Sequence, residues 1–195
     1  MNYLEVFKSY IVGNFNNQQQ IEKQKLNKNI THPYAEHVNR VVNDKIKNLP
    51  ANLNGFFILE ESYYTTIKLS DEGLANETRK RQSPHLFFFT EDEDKNVKLI
   101  SYEIPKDFPR QDFTNNNPDL KLDYNTLTIS EKFTPLVYKY ENEVFYGKCI
   151  SEFTSDTTFT LEEWIKKDEL LVTEILEKNG RILISVPSPI EYHRI

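Results

Sequence analysis

The chain has few of the residues that covalent or metal-based stabilisation requires. It contains one Cys in 195 residues, which excludes an internal disulfide and any zinc site built from several cysteines. Folding a chain of this length buries roughly 70% of the surface that the unfolded chain exposes. We therefore expect a hydrophobic core to stabilise the fold with neither a disulfide nor a structural metal.

Glycine and net positive charge are also scarce. Five Gly residues provide no glycine-rich phosphate loop, and no Ser lies between two Gly at the spacing of a nucleophile elbow. There are 24 Lys and Arg residues against 30 Asp and Glu residues, giving a net charge of −6. Because binding to phosphate groups depends on Lys and Arg, this balance argues against nucleic acid or an anionic membrane as the main partner.

Long hydrophobic runs are absent. No run of apolar residues is long enough to span a membrane, and the first residues lack the basic and then apolar order of a secretory signal. We therefore expect a soluble, cytoplasmic protein with a reduced thiol.

Aromatic residues, in contrast, are abundant. The chain has 13 Phe and 11 Tyr but one Trp and one Met. Each aromatic side chain buries about 150–250 Å², so a chain that is only 38% hydrophobic can still enclose a sizeable core.

The pattern predicts one domain, residues 1–195, with a helical lead-in over 1–30. Apolar residues at three- and four-residue spacing predict a helix over 2–12, which Asn2 caps. The segment 16–29 is rich in Asn, Gln and Lys and predicts a second, solvated helix.

From residue 35 to 195 the pattern is that of β-strands. The runs are rich in β-branched and aromatic residues and are joined mostly by short turns, which favours antiparallel pairing. Closure of such a sheet into an up-and-down barrel removes its exposed edges, so we expect a mainly β fold, an antiparallel β-barrel with N-terminal helices. The predicted strands are 35–43, 56–69, 85–93, 97–105, a hairpin within 135–150, a hairpin within 169–186 that turns at Asn179-Gly180, and the C-terminal 190–195.

Three segments interrupt the strand pattern. Residues 70–82 are charged and predict a loop or short helix. Residues 107–127 form a connection so long that we expect it to cover a barrel mouth. Residues 160–169 predict one or two helical turns, with Thr160 and Glu163 as a capping box.

Two adjacent carboxylates, Glu60 and Glu61, lie in the middle of a predicted strand. Side chains alternate along a strand, so one of the two must face the interior of a barrel wall. A buried carboxylate requires a cation or a polar cavity. The sequence therefore predicts a buried carboxylate in the barrel wall at Glu60 or Glu61 and leaves open which of them faces inward.

The remaining polar candidates have weaker signals. Arg79 and Arg81 belong to the one dense basic cluster, which is either a solvated loop or an anion clamp at the barrel rim. His32 and His37 flank a proline that breaks any helix between them, so we expect no metal site. Cys149 is typical of a small buried hydrophobe.

Four short motifs, in order along the chain, resemble the T-type (CpcT/CpeT-like) phycobiliprotein chromophore lyases. They are an Asn/Gln-rich element at 14–20, the strand Phe57-Ile58-Leu59-Glu60-Glu61-Ser62-Tyr63, a strand that ends at Tyr102, and the closing segment Ser188-Pro189-Ile190-Glu191-Tyr192-His193-Arg194.

That resemblance implies a calycin-like barrel, often dimeric, which holds a linear tetrapyrrole (a bilin) and attaches it to a cysteine of a phycobiliprotein subunit as a thioether. The bilin would be ligand or substrate, with no other cofactor, and the thiol would come from the partner. Glu60 or Glu61 would supply the acid. The implied ligand-binding residues are Arg79, Arg81 and Arg194 for the propionates and Tyr63, Tyr102 and Tyr192 for flat contacts.

Two alternative hypotheses use the same barrel. It could bind a bilin or another hydrophobic carboxylate without catalysis, or it could be an interaction protein whose interior is filled by its own Phe and Tyr. The consecutive residues Phe87, Phe88 and Phe89 cannot all face one side of a strand. At least one must point outward or into an interface, which suggests a homodimer.

Overall fold

A computed structural model describes residues 1–69, 75–106 and 108–195, with side chains for all of these except 69 and 75–79. The helices are α1 (Tyr3–Ile11) and α2 (Gln18–Leu26). The strands are β1 (Gly13–Asn16), β2 (Tyr34–Val41), β3 (Ile46–Lys47), β4 (Phe56–Leu69), β5 (Ala75–Glu91), β6 (Val97–Tyr102), β7 (Leu122–Asp123), β8 (Leu136–Glu141), β9 (Val144–Thr154), β10 (Thr157–Ile165), β11 (Glu169–Lys178), β12 (Arg181–Ile184) and β13 (Ile190–Arg194).

Ten strands form a closed antiparallel barrel, which confirms the predicted fold class. Their order around the barrel is β1, β2, β4, β5, β6, β8, β9, β10, β11 and β13, and β13 pairs again with β1. Strand β12 continues the β11 hairpin at one end, and β3 pairs with β7 outside the barrel. Closure leaves none of these ten strands with a free edge along its paired length.

Helix α1 closes one end of the barrel. Asn2 caps the helix by accepting a hydrogen bond from the backbone N–H of Glu5 at 3.2 Å. The helix turns its apolar side toward the lumen, where the Phe7 ring lies 4.9–5.0 Å from the rings of Phe89, Tyr138 and Phe145. This end of the barrel is therefore filled.

Strand β1 was not predicted, because the lead-in was interpreted as purely helical. Its four residues pair with β2 on one side and with β13 on the other. The lead-in thus supplies one wall strand of the barrel, and the barrel does not begin at residue 35.

The prediction of helical turns over 160–169 was wrong. Thr160 and Glu163 lie in β10, which pairs along its length with both β9 and β11. Two neighbouring strands override the helical signal of this segment. The loop predicted for 70–82 was also wrong over 75–82, which begins β5, whereas 70–74 lie outside the described residues.

The prediction that the long connection covers the barrel mouth was wrong. The segment 108–127 of this connection packs on the outer face of β4, β5 and β6, so the opposite face of the wall is buried too. Phe88, which points outward, lies under this segment, so the three consecutive Phe residues no longer indicate a dimer interface. We call this group the outer core; its buried members are Val42, Ile46, Phe57, Leu59, Leu86, Phe88, Phe113, Leu120 and Leu122.

Candidate functional site

The half of the barrel away from α1 encloses a cavity of about 530 Å³. This volume lies within the range of about 300–1,000 Å³ that is typical of small-molecule sites. Ile11 of α1 and the side chains of Phe89 and Tyr138 line the part of the cavity nearest to α1. The interior is therefore not filled by the aromatic residues of the chain.

The cavity has an apolar rim. Phe133, Phe153 and Phe159 line it with ring centroids 5.2–5.9 Å apart. Ile184 and Val186, at and just after the end of β12, continue this apolar part of the rim on the neighbouring side. A ligand entering here would first meet flat and aliphatic surface.

Three carboxyl groups face the middle of the cavity, and we call them the carboxylate belt: Glu60, Glu163 and Glu174. Glu163 and Glu174 are diagonal neighbours on β10 and β11, because Glu163 pairs with Val172 and Glu174 pairs with Leu161. Strand β4, which carries Glu60, lies on the opposite side of the ring of strands. The belt thus surrounds the space from two sides.

Burial raises the pKa of two belt residues. Desolvation raises the pKa of Glu163 from 4.5 to about 8; a hydrogen bond from the Tyr138 hydroxyl opposes this shift, and the charge of Glu60 adds to it. Desolvation and the Glu60 charge raise the pKa of Glu174 to about 7. At neutral pH Glu163 is therefore mostly protonated, and Glu174 is present in both its protonated and its ionised form.

Two histidines flank Glu60. The Glu60 carboxylate lies 3.6 Å from His37 Nδ1, and His85 is its register partner on β5. Burial lowers the pKa of both imidazoles, so they are neutral at neutral pH. His37 is 5% exposed, and its Nε2 has no hydrogen-bond partner among the described residues.

Of the two candidate acids, Glu60 faces the cavity and Glu61 faces the outer core. Glu61 is 3% exposed and accepts hydrogen bonds from the Asn115 backbone N–H at 2.8 Å and from the Tyr63 hydroxyl. Tyr63 therefore also lies on the outer face. The predicted alternation of side chains along the strand is confirmed. It places Glu61 and Tyr63 on the side of the wall away from the cavity.

The other predicted ligand-binding residues are dispersed. Arg81 lines the cavity on the mouth side. Tyr102 belongs to the outer core, where its ring lies 5.1 Å from that of Phe57. Tyr192 is buried inside the barrel, with its ring 4.2 Å from that of His37. The side chain of Arg79 lies outside those described.

Arg194 holds the closed end of the barrel together. Its guanidinium donates hydrogen bonds to the carbonyl oxygens of Ser9, Tyr10 and Val12 at 2.7–3.1 Å. Carbonyl oxygens at the C-terminal end of a helix have no partner within the helix. The Arg194 guanidinium also contacts Asp168 at 3.2 Å. A cation at this end of a helix is favourable, so the contacts of Arg194 are those of a structural residue.

Sequence reasoning missed most of the belt. Glu163 was assigned to a helical cap, and Glu174 lay within a run interpreted as apolar. A strict alternation count over β10 and β11 would have placed both carboxyls on the inner face. Cys149 also lines the cavity, and burial together with the Glu163 charge raises its thiol pKa, which does not favour a nucleophilic thiolate.

Within the described ranges, no three or more His, Cys, Asp or Glu residues are arranged to hold a metal ion. The described helices are also too short or too polar to cross a membrane. No protein-family model matches the chain, and no curated protein matches it closely enough to indicate a relationship. The residues of the cavity therefore carry the functional argument.

Proposed function

We propose that this protein is a small-molecule-binding barrel whose ligand is a linear tetrapyrrole or a molecule of the same character. Such a ligand is long and flat, mostly apolar, with N–H groups along its middle and acid groups on short arms. The observation that supports the proposal is the cavity of about 530 Å³, which has an aromatic rim and a polar middle. Barrels of this kind commonly enclose ligands.

The carboxylate belt matches the N–H groups of such a ligand. Carboxylate oxygens accept hydrogen bonds from N–H donors, and the bond is stronger when one partner is charged. The unpartnered Nε2 of His37 adds a further group at the same level. Buried polar atoms normally have a partner, and a bound ligand would supply one.

The acid groups of the ligand would lie at the mouth. Among the described lining residues, the guanidinium of Arg81 is the cation that borders the cavity. Arg offers a planar pair of donors that fits a carboxylate. Deeper in the cavity an anionic group would face Glu60, Glu163 and Glu174 without a described cation beside it. A hydrophobic carboxylate would therefore bind with its acid group outermost.

A second candidate function is the attachment of a bilin to a cysteine of a phycobiliprotein subunit. In this step the partner thiol adds across a carbon–carbon double bond of the bilin, so a sulfur–carbon bond forms and the thiol proton is transferred to the ligand. Glu163 supports this candidate, because a carboxyl group with a pKa of about 8 can donate a proton at neutral pH. The homodimer expected from the sequence is likewise a proposal.

The binding proposal is tested with biliverdin and two variants of adjacent residues on β9. Cys149 lines the cavity, whereas Ile150 is exposed on the outer face. Cys149→Trp should fill part of the cavity and weaken binding about tenfold or more, a change of about 1.4 kcal/mol. Ile150→Trp should bind as the unmodified protein does. The measurement is the change in the visible absorption of biliverdin on titration.

The absence of any spectral change with the unmodified protein would overturn the proposal for bilins. Equal binding by both Trp variants would show that the ligand lies elsewhere. For the second candidate, the mixture with a phycobiliprotein subunit is denatured in acid. Pigment that stays on the subunit after denaturation would support attachment, and pigment that is released would exclude it.

A further inference from the structure

The groups that face the cavity have an unusual charge balance. Three carboxyl groups project inward from β4, β10 and β11, whereas Arg81 supplies the one guanidinium among the described lining residues. His37 and His85 add no charge at neutral pH, because burial lowers the pKa of both. Among the residues whose side chains are described, the titratable groups that face this space are His37 of β2, Glu60 and Tyr64 of β4, Arg81 and His85 of β5, Tyr138 of β8, Cys149 of β9, Glu163 of β10 and Glu174 of β11.

The cation and the carboxylates lie at different depths. Arg81 is exposed at the mouth, where water screens its charge. On β10, Glu163 lies deeper in the barrel than the rim residue Phe159. On β11, Glu174 lies deeper than Leu176, which pairs with Phe159. A charged group of a ligand that passes the rim would therefore meet carboxyl groups in a partly desolvated space, where electrostatic interactions are stronger than in water.

We propose that the cavity selects apolar ligands that carry a positively charged nitrogen, held by Glu60, Glu163 and Glu174, over neutral and anionic ligands of the same shape. This inference rests on the proposed function, because it assumes that ligands bind in the cavity. It adds the charge of the part of the ligand that lies at the belt, whereas any acid groups of the ligand would lie at the mouth beside Arg81.

Binding of a cation would exchange protons. Without a ligand, Glu163 with a pKa of about 8 and Glu174 with a pKa of about 7 hold protons over part of the neutral range. A bound cation favours the ionised carboxylates, so it should release protons and bind more tightly as the pH rises from 6 to 8. The affinity for a neutral ligand should lack this increase.

The test compares dodecylamine, dodecanol and dodecanoate, which share one alkyl chain and differ in charge. Each displaces the neutral fluorescent probe N-phenyl-1-naphthylamine from the protein at neutral pH and below its own aggregation limit. The dodecylammonium ion should bind about tenfold more tightly than dodecanol, which corresponds to about 1.4 kcal/mol. Dodecanoate should bind more weakly than dodecylammonium, because its acid group would stay at the mouth beside Arg81, where water screens the attraction.

Substitution of the belt identifies the residues responsible. The double variant Glu163→Gln, Glu174→Gln should lose most of the preference for dodecylammonium and still bind dodecanol. The matched control is Glu162→Gln on the same strand, since the Glu162 carboxylate points outward to Lys148 at 3.1 Å and to the Tyr146 hydroxyl. The control should keep the full preference.

The outcomes separate this inference from the proposed function. Displacement of the probe with equal affinity for the three compounds, or tightest binding of dodecanoate, would overturn charge selection and leave the binding barrel in place. A full preference that survives in the double Gln variant would overturn its assignment to Glu163 and Glu174. Failure of the probe and of all three compounds to bind would overturn both proposals.

Discussion

Glu60 and Glu61 are adjacent in the chain, yet they belong to two different regions of the molecule. Glu60 borders an open cavity and has His37 Nδ1 3.6 Å away, with one hydrogen bond from Ser62. Glu61 faces the outer core and accepts hydrogen bonds from Asn115 and Tyr63. The Glu60 carboxylate keeps one oxygen without a hydrogen-bond donor among the described residues, whereas each oxygen of Glu61 accepts a hydrogen bond, one of them from the loop residue Asn115.

The same contrast separates the two faces of the sheet. The outer core contains buried Phe and Leu residues, among them Phe57, Phe113 and Leu120, each at most 1% exposed. The inner face toward the mouth keeps empty volume and several polar groups. Space with unsatisfied polar groups is costly for stability, so the contrast fits an outer face that stabilises the fold and the binding function proposed for the inner face.

The largest expected effect is on the outer core. Phe113→Ala should lower the free energy of unfolding by about 3–5 kcal/mol, because Phe113 is fully buried. Phe153→Ala at the rim should cost only about 1 kcal/mol, because that ring is half-buried. Urea denaturation measures both values. Equal losses would mean that the rim is as well packed as the outer core.

The next effect concerns pH. Glu163 has a pKa of about 8 in the folded protein against 4.5 unfolded, so the folded state binds more protons between these values. Its contribution to stability is therefore fully present below pH 4.5 and is lost as the pH rises through 8. Each unit of pKa shift corresponds to about 1.4 kcal/mol of stability. We expect the free energy of unfolding to fall by about 3 kcal/mol, less than the full shift implies, because water in the cavity partly solvates the ionised carboxylate.

The measurement is the free energy of unfolding from pH 4.5 to 8.5 for the unmodified protein and for Glu163→Gln. The difference between the two curves isolates this residue from the other titrating groups. The Gln variant should be relatively more stable at the alkaline end. Parallel curves would show that Glu163 ionises normally in the folded protein.

A smaller effect tests the role of Glu61 on the outer face. Glu61→Ala removes the acceptor for the backbone N–H of Asn115, and an unsatisfied buried donor costs about 2 kcal/mol. Glu61→Gln keeps one acceptor oxygen and should cost less. Biliverdin binding by both folded variants should be unchanged. Weaker binding by Glu61→Gln at full stability would place Glu61 in the site after all.

The smallest effect on stability is expected at Glu60. Glu60→Gln keeps an acceptor for the Ser62 hydroxyl, so the free energy of unfolding should change by less than about 1 kcal/mol. The absorption of bound biliverdin should nevertheless shift, because the variant removes a charge from the belt. An unshifted spectrum would remove Glu60 from contact with the ligand.

Much of the wall could be predicted from local sequence. The predicted strand 56–69 matches β4, and the turns lie where polar residues tolerate positive φ, as Asn179 at 51° and Gly180 at 73° do. The type I′ geometry of Asn142-Glu143, at 50° and 63°, fits the predicted hairpin within 135–150. Short-range signals sufficed because antiparallel neighbours along the chain pair through such turns.

The errors arose where distant pairing decides the structure. Residues 13–16 are too few to show a strand period, and they are extended because β2 and β13 flank them. Glu162-Glu163 fits a helix locally, but β9 and β11 on either side make it a strand. This error also affected the predicted site, because only a strand assignment places Glu163 inside the barrel. The resemblance to chromophore lyases stays a prediction.

The most direct test of the central claim uses the single thiol of the chain. Cys149 is the one cysteine and lines the cavity, so labelling with the uncharged reagent N-ethylmaleimide reports access to that space. At a biliverdin concentration about ten times its Kd, the labelling rate should fall about tenfold, because only the unoccupied fraction reacts. An unchanged rate while the absorption shows biliverdin to be bound would place the ligand outside the cavity and contradict this account.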